Sequence, residues 1–202
     1  MLLALRLWLG KKLLGDVGSA SPAGIRVSPR RWIKWCQPPE IEALEFVATN
    51  TTIPVPKVYQ THTHKGHLLV ELEYVKGVPV MTAWWKLNED QKRSLMKELG
   101  GYIRQLKSLK PPADFRISST LGGPCRDTRV GQAPFGPFDN TEPFHACLRG
   151  QIPPDDPSFD EVVAKCHARQ YKVRYTHGDL SILNILVHNR RISAIIDWEC
   201  AG

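Results

Sequence analysis

At 202 residues, 42% of them hydrophobic, the chain is long enough for one domain of two lobes, and no stretch approaches the roughly eighteen apolar residues of a membrane span. Its formal charge of +7 comes from scattered pairs such as Lys11-Lys12, Arg30-Arg31 and Arg190-Arg191, so a cleft that attracts phosphate groups accounts for the excess and no nucleic-acid partner is expected. The five cysteines (Cys36, Cys125, Cys147, Cys166, Cys200) are odd in number and form no Cys-x-x-Cys pair, which argues for reduced thiols in the cytosol over a disulfide framework.

The run from Leu2 to Leu9 is apolar but broken by Arg6, too short to cross a membrane and without the charged leading region of a secretory signal. With Arg6, Lys11 and Lys12 it faintly resembles a mitochondrial transit peptide, which leaves a mitochondrial location as the alternative to the cytosol. A short helix lying on the body of the protein, or an imperfect gene model, is the preferred reading, and residues 1–24 as a whole are expected to be poorly structured. Gly15 to Gly24 is rich in Gly, Ser and Pro and reads as loop. Ile25 to Trp35 reads as two strands around a turn at Ser28-Pro29. After Pro38-Pro39, apolar residues at Ile41, Leu44, Val47 and Ala48 have helical spacing, with Pro39 suited to a helix start. Asn50-Thr-Thr52 matches a glycosylation sequon that has no meaning without a secretory signal.

His62-x-His64-x-x-His67 tempts a metal reading, but it lies between two strand-like runs with Thr, Lys and Gly interleaved, so an exposed hairpin turn is expected. Leu68 to Val75, bounded by Gly66 and Gly77, is the clearest strand. Leu95, Leu99, Tyr102, Ile103 and Leu106 then recur at helical spacing behind Asn88, a plausible N-cap. Pro111 to Phe138 carries nine Gly or Pro and reads as a long irregular loop. Helical patterning returns around Phe159 to Arg169.

Chemistry concentrates in Tyr175-Thr-His-Gly-Asp-Leu-Ser-Ile-Leu-Asn-Ile-Leu-Val-His188 and Ile195-Ile-Asp-Trp-Glu199. His177-x-Asp179-x-x-x-x-Asn184 has the spacing of a kinase catalytic loop, in which the Asp accepts the substrate hydroxyl proton and the Asn holds magnesium. Ile185-Leu-Val187 and Ile192 to Ile196 flank a polar turn and read as a hairpin that returns Asp197 beside Asn184. Two oxygen ligands then converge on one hard cation, with phosphate and water completing its shell.

His177-Gly-Asp179, Asn184-Ile-Leu186 and Ile196-Asp-Trp-Glu199 together resemble the aminoglycoside phosphotransferase family, the small-molecule branch of the kinase-like fold. Ile53-Pro-Val-Pro-Lys-Val-Tyr59, Leu121-Gly-Gly-Pro124 with Arg126-Asp127, and Phe135-Gly-Pro-Phe138 look like the version of this family abundant in filamentous fungi. The resemblance runs from about Ile25 to the last residue. It implies a two-lobed α+β fold, with a β-rich small lobe over residues 25–78 and a mainly helical large lobe over residues 79–202. It also implies that Lys34 is the phosphate-binding lysine and that the helix glutamate paired with it is Glu40, with Glu42 the second match. Backbone groups of Glu73 and Val75 would hydrogen-bond adenine, and His177 would brace the catalytic loop. The implied reaction moves the γ-phosphoryl group of ATP, or alternatively GTP, to a hydroxyl of a small molecule with Mg2+ as cofactor.

Two features depart from the pattern. No Gly-rich phosphate loop is visible, since Gly15-Asp-Val-Gly18 is not Gly-x-Gly-x-x-Gly, and the chain stops at Gly202, soon after Asp197. The expectation is of a truncated member lacking the C-terminal helices that form much of the acceptor site, with apolar surface exposed and a tendency to associate. The competing reading is a non-catalytic nucleotide-binding or interaction module that kept the motif residues.

Overall fold

The computed structural model describes residues 2–14, 16–17, 24–110, 116–167, 169 and 171–202. Its elements, in chain order, are α1 (Leu2–Leu14), β1 (Asp16–Val17), β2 (Gly24–Ser28), β3 (Arg31–Trp35), α2 (Pro38–Asn50), β4 (Val58–His64), β5 (His67–Glu73), β6 (Val78–Pro79), α3 (Val80–Ala83), a 3-10 turn (Trp84–Lys86), α4 (Glu89–Ser108), α5 (Thr141–Leu148), α6 (Glu161–His167), β7 (Ile185–His188) and β8 (Arg191–Ile195). They make an α+β architecture of two antiparallel sheets, one of five strands in the order β1-β2-β3-β5-β4 and one of three in the order β6-β7-β8.

Register on β3 and β5 decides what each face of the larger sheet can do. Trp32 and Lys34 lie opposite Leu72 and Val70, while Ile33 lies opposite Glu71. Successive side chains alternate between faces, so Lys34 faces one way and Glu71 the other. The Lys34 face meets α2, which buries Glu40, Ala43, Leu44 and Val47 at helical spacing. The Glu71 face is covered by α1. Val70, Leu72, Leu44 and Val47 join Leu95, Leu106, Ile185, Ile195 and Trp198 in one continuous core, so the two sheets share it.

Turn chemistry sets both hairpins. Lys65 and Gly66 at φ of 51° and 78° close β4 on β5, and Asn189 and Arg190 at 50° and 64° close β7 on β8. The histidine run therefore is a hairpin end, with His64 opposite His67. His62 is turned to Glu71, 3.1 Å away. On α4, Asn88 accepts from the Gln91 amide while the Gln91 side chain accepts from the Asn88 amide, a complete capping box. Glu98 on α4 takes two bonds from Arg191 at 3.0 and 3.1 Å and so ties the helix to the second hairpin.

The short helix read from the apolar run Leu2 to Leu9 is present as α1 (Leu2–Leu14), so the expectation of a poorly structured stretch over residues 1–24 is corrected there and over Asp16–Val17, which pair with β2. The loop expected over Gly15 to Gly24 falls largely outside the described residues. Helix α1 has little apolar periodicity, and tertiary contacts hold it. Arg6 donates to both oxygens of Glu71 at 2.8 and 3.0 Å. Gly10 lets it approach β2, since a Cβ there would sit 2.5 Å from the Arg26 carbonyl oxygen. Among its described residues, the irregular stretch before Phe138 contains the bridges Ile117–Phe138 and Cys125–Phe135. Helix α5, capped by Asn140 on the Glu142 amide, was not anticipated. The helix expected from Phe159 to Arg169 is the shorter α6. All five cysteines are free thiols. Among the described residues no helix is long and apolar enough to cross a membrane.

Glu71 is almost inaccessible and takes donors from Arg6, Arg31, Gln60 and His62. Burial opposes its ionisation, yet the donors outweigh burial and hold its carboxyl far below the ordinary value of 4.5. A lowered folded pKa stabilises the fold above the unfolded value, and that contribution is lost as pH falls below about 4.5 toward the folded value. Glu71→Gln should therefore cost about 1–3 kcal/mol at pH 7. The gap between variant and wild type should narrow below pH 4.5 in urea unfolding. A gap independent of pH would contradict an ionised Glu71.

Candidate active site

Lys34 is the centre of the site. From β3 its ammonium reaches Glu40 Oε1 at 2.6 Å in the first turn of α2 and Asp197 Oδ1 at 2.9 Å just past β8. It is Glu40, not Glu42, that makes this contact. Lys34 and Glu40 are both buried, so neither charge is solvated by bulk water. Burial disfavours the Lys34 charge, but Glu40 and then Asp197 more than compensate, and its pKa is raised. Burial likewise pushes the Glu40 carboxyl up to about 7, against the pull of Lys34. One ammonium shared by two carboxylates offsets only part of the cost of burying Glu40 as an anion.

Asp197 enters this cluster with φ of 68°, a left-handed conformation that Asp tolerates better than bulky residues. Trp198 follows and is completely buried, its indole N–H donating to the Ile195 carbonyl at 2.9 Å. Its ring lies 4.4 Å from that of His177. His177 accepts the Asp179 amide at Nδ1 and places Nε2 2.9 Å from the Ile196 carbonyl, which fixes the neutral Nε2–H tautomer. Burial pulls its pKa down, consistent with that neutral ring. Gly178 between them has φ of 77°, and a Cβ there would sit 2.1 Å from the Cys200 carbonyl oxygen. Only glycine fits.

The loop leaves Asp179 exposed, and Asn184 fixes it. The Asn184 amide nitrogen donates to the Asp179 carbonyl at 2.9 Å and to its Oδ2 at 3.0 Å. With both amide hydrogens spent there, Asn184 Oδ1 is the atom left to serve as a ligand. The Ile196 amide donates to the Asn184 carbonyl at 2.9 Å, which sets Asp197 one residue beyond Asn184's own backbone. These hard oxygen donors fit a magnesium ion that keeps phosphate and water in its remaining positions. Among the described residues no group of three His, Cys, Asp or Glu side chains could hold a metal.

Two residues not singled out from the sequence shape the surroundings. Trp32 shares the sheet face with Lys34 and lines the crevice between Glu40, Leu72 and Asp197, which measures only about 10 Å³, room for roughly one water. Its indole nitrogen is buried without a hydrogen-bond partner. Arg129, inside the irregular stretch, donates to the Gly178 carbonyl at 2.9 Å and holds Asp127 with two guanidinium bonds of 2.6 and 2.8 Å. Nothing local in the sequence says that Arg129 reaches the Gly178 loop, 49 residues away. Of the backbone groups expected at adenine, the Glu73 amide is already committed to the Lys57 carbonyl at 2.8 Å, which leaves only its carbonyl to a ligand.

A profile described as the phosphotransferase enzyme family matches residues 26–202. The aminoglycoside 3'-phosphotransferase of Niallia circulans is 27% identical over 192 residues, covering 90% of this chain and 64% of that protein. The chain thus spans just under two thirds of that curated relative. A thermostable mutant of aminoglycoside phosphotransferase APH(4)-Ia, solved as a ternary complex with ADP and hygromycin B, superposes with a TM-score of 0.61 at 14% identity, over 98% of this chain and 72% of the other. ADP-bound aminoglycoside phosphotransferase APH(2'')-Ib gives 0.58 at 14%, over 98% and 71%. These structural likenesses establish a kinase-like α+β fold.

Glu40→Gln tests the ion cluster. A carboxyl whose folded pKa is raised from 4.5 to about 7 holds a proton that the unfolded chain releases earlier, so the fold loses stability as pH rises through that window. Between pH 5 and 8 the wild type should lose roughly 1–3 kcal/mol relative to Glu40→Gln in paired denaturation curves. Parallel curves would place Glu40 as a fully ionised partner of Lys34.

Proposed function

The chain belongs to the phosphotransferase enzyme family, and from that premise we propose that it transfers the γ-phosphoryl group of ATP, with GTP as the alternative donor, to a hydroxyl of a small molecule. The observation that carries this reading is the Lys34 ammonium bracketed by Glu40 and Asp197 at 2.6 and 2.9 Å. A lysine so fixed is a preformed clamp for the α- and β-phosphates, because the cost of ordering its flexible stem is already met by the fold. The Glu73 carbonyl and Val75 backbone would face the purine.

Asp179 is the proposed general base. It is exposed to an incoming hydroxyl, while its backbone is oriented by His177 and its carboxylate by Asn184. Asn184 and Asp197 would hold Mg2+, which neutralises phosphate charge when bound. The work is divided among the protein groups, with Lys34 positioning phosphates, Glu40 positioning Lys34, Asp179 taking the proton and Asn184 aiming Asp179. The odd number of cysteines, without a Cys-x-x-Cys pair, is in keeping with a cytosolic setting.

One observation favours the alternative, a kinase-like module without turnover: Trp32 leaves only about 10 Å³ beside Lys34. Calorimetry with ATP separates the two. The expected outcome is nucleotide binding that requires magnesium and falls at least tenfold in Asp197→Ala. Asp179→Asn should retain that binding while phosphoryl transfer, followed as ADP release to water or small alcohols, drops by roughly 10²–10⁴-fold. No nucleotide binding by the wild type, with binding gained in Trp32→Ala, would establish the non-catalytic reading instead.

A further inference from the structure

Beside the catalytic loop lies a cavity of about 970 Å³ that reaches Gly178, the residue before Asp179, and is bounded by Cys200 to Gly202 on one side and by the irregular stretch on the other. Its volume suits a small organic ligand. The lining side chains are strongly one-sided in charge: Lys110, Arg116, Arg126, Arg129 and Arg174 are basic, and Asp127 is the sole side-chain carboxylate among the described lining residues. Asp127 brings no free negative charge, because Arg129 binds it with two bonds of 2.6 and 2.8 Å. Arg116 has a partner in Asp139 at 3.3 Å, on an exposed edge. Arg126, Arg174 and Lys110 make no ion pair among the described residues. The basic wall also touches the chemistry, since Arg129 donates to the Gly178 carbonyl at 2.9 Å.

Resting on the phosphoryl-transfer reading above, we propose that the acceptor is an anionic hydroxy compound carrying a carboxylate or phosphate, bound in this cavity by Arg126 and Arg174, and that polycationic acceptors are rejected. A guanidinium fork matches a carboxylate or phosphate with two parallel bonds, which an ammonium cannot do. A cleft lined by one sign of charge concentrates the opposite sign within it. A polyamine sugar entering the same wall would set its ammonium groups against arginines that have no ion pair among the described residues, with one neutralised Asp side chain to receive them. Like-charge juxtaposition is itself a means of discrimination. Such a wall also shields the acceptor's own negative charge from the triphosphate it must approach.

Four probes test this with the full chain: gluconate, glucose 6-phosphate, the neutral polyol sorbitol and the polycation kanamycin. Binding is measured by calorimetry in the presence of a non-hydrolysable ATP analogue, and transfer by ADP release. At least one anion should bind tenfold or more tightly than sorbitol and kanamycin, and its affinity should fall as salt rises from 50 to 300 mM. The double variant Arg126→Gln, Arg174→Gln should lose about 10²-fold in anion affinity while its nucleotide affinity stays unchanged. If that variant loses nucleotide binding as well, Arg126→Lys, Arg174→Lys keeps the test open: charge retained without the fork should recover the salt dependence but only part of the affinity. Equal or tighter binding of kanamycin or sorbitol, or no anion binding above either, overturns the proposal, as does an anion preference that survives both arginine changes. Anion binding as expected but no transfer to any probe counts against the kinase reading alone and leaves the ligand class standing.

Discussion

A single buried ammonium organises this molecule. Lys34 comes from the middle of the larger sheet, Glu40 from the helix that covers it and Asp197 from the end of the second hairpin. Neither Lys34 nor Glu40 has water to fall back on, so three separate elements must be in register at once or a charge is left unpaired. Removing one partner of such a buried pair costs about 3–5 kcal/mol, which makes the cluster a specification of geometry more than a source of net stability. The site and the shared core therefore form together. Leu44, Val70, Leu72 and Ile195 pack around the same junction.

The opposite face of the sheet solves the related problem in the other direction. Glu71 is as buried as Glu40, but it receives two arginines, a glutamine and a histidine, whereas Glu40 competes with Asp197 for one lysine. The same residue type thus ends far below its ordinary pKa on one face and at about 7 on the other. Donor count decides it, because burial pushes both upward. The Glu71 side is saturated and has no donor to lend. The Lys34 side instead divides one ammonium between Glu40 and Asp197.

Much of this was legible in the residues. His177-Gly-Asp179, Asn184 and Asp197 carry the loop and hairpin, because each depends on local spacing and turn chemistry: Gly178 must adopt a positive φ, and Asn189-Arg190 closes two β-branched runs. Asn88 and the Leu95 to Leu106 periodicity likewise encode α4 locally. What was not legible depends on contacts across the chain. The short helix read over Leu2 to Leu9 is present within α1, but what fixes it, Arg6 on Glu71, lies 65 residues away. Arg129 on Gly178, 49 residues apart, has the same character. Trp32 read as one more strand aromatic, and only the register opposite Leu72 puts it beside Lys34. The two readings also differ over Asn184: spacing cast it as a metal ligand, and the structure adds that its amide nitrogen is taken up by Asp179.

The residue after Asp197 explains why a strained position can be held there. A non-glycine residue at φ of 68° costs of the order of 1 kcal/mol or more, which the Asp197 bond to Lys34 and the packing of Trp198 both help to offset. The Trp198 side chain is fully buried, worth about 1.5–3 kcal/mol for a large apolar group, and its indole N–H is satisfied by the Ile195 carbonyl before the bend. The ring then packs on His177, whose Nε2 reaches the Ile196 carbonyl within the same bend and whose Nδ1 takes the Asp179 amide. Asp197 and Asp179 are thereby referenced to one rigid unit, Trp198 on His177, although they lie on different loops. A smaller residue at position 198 would leave the bend without its anchor and the histidine without its stacking partner. The separation between the two aspartates would then be set by loop motion in place of packing.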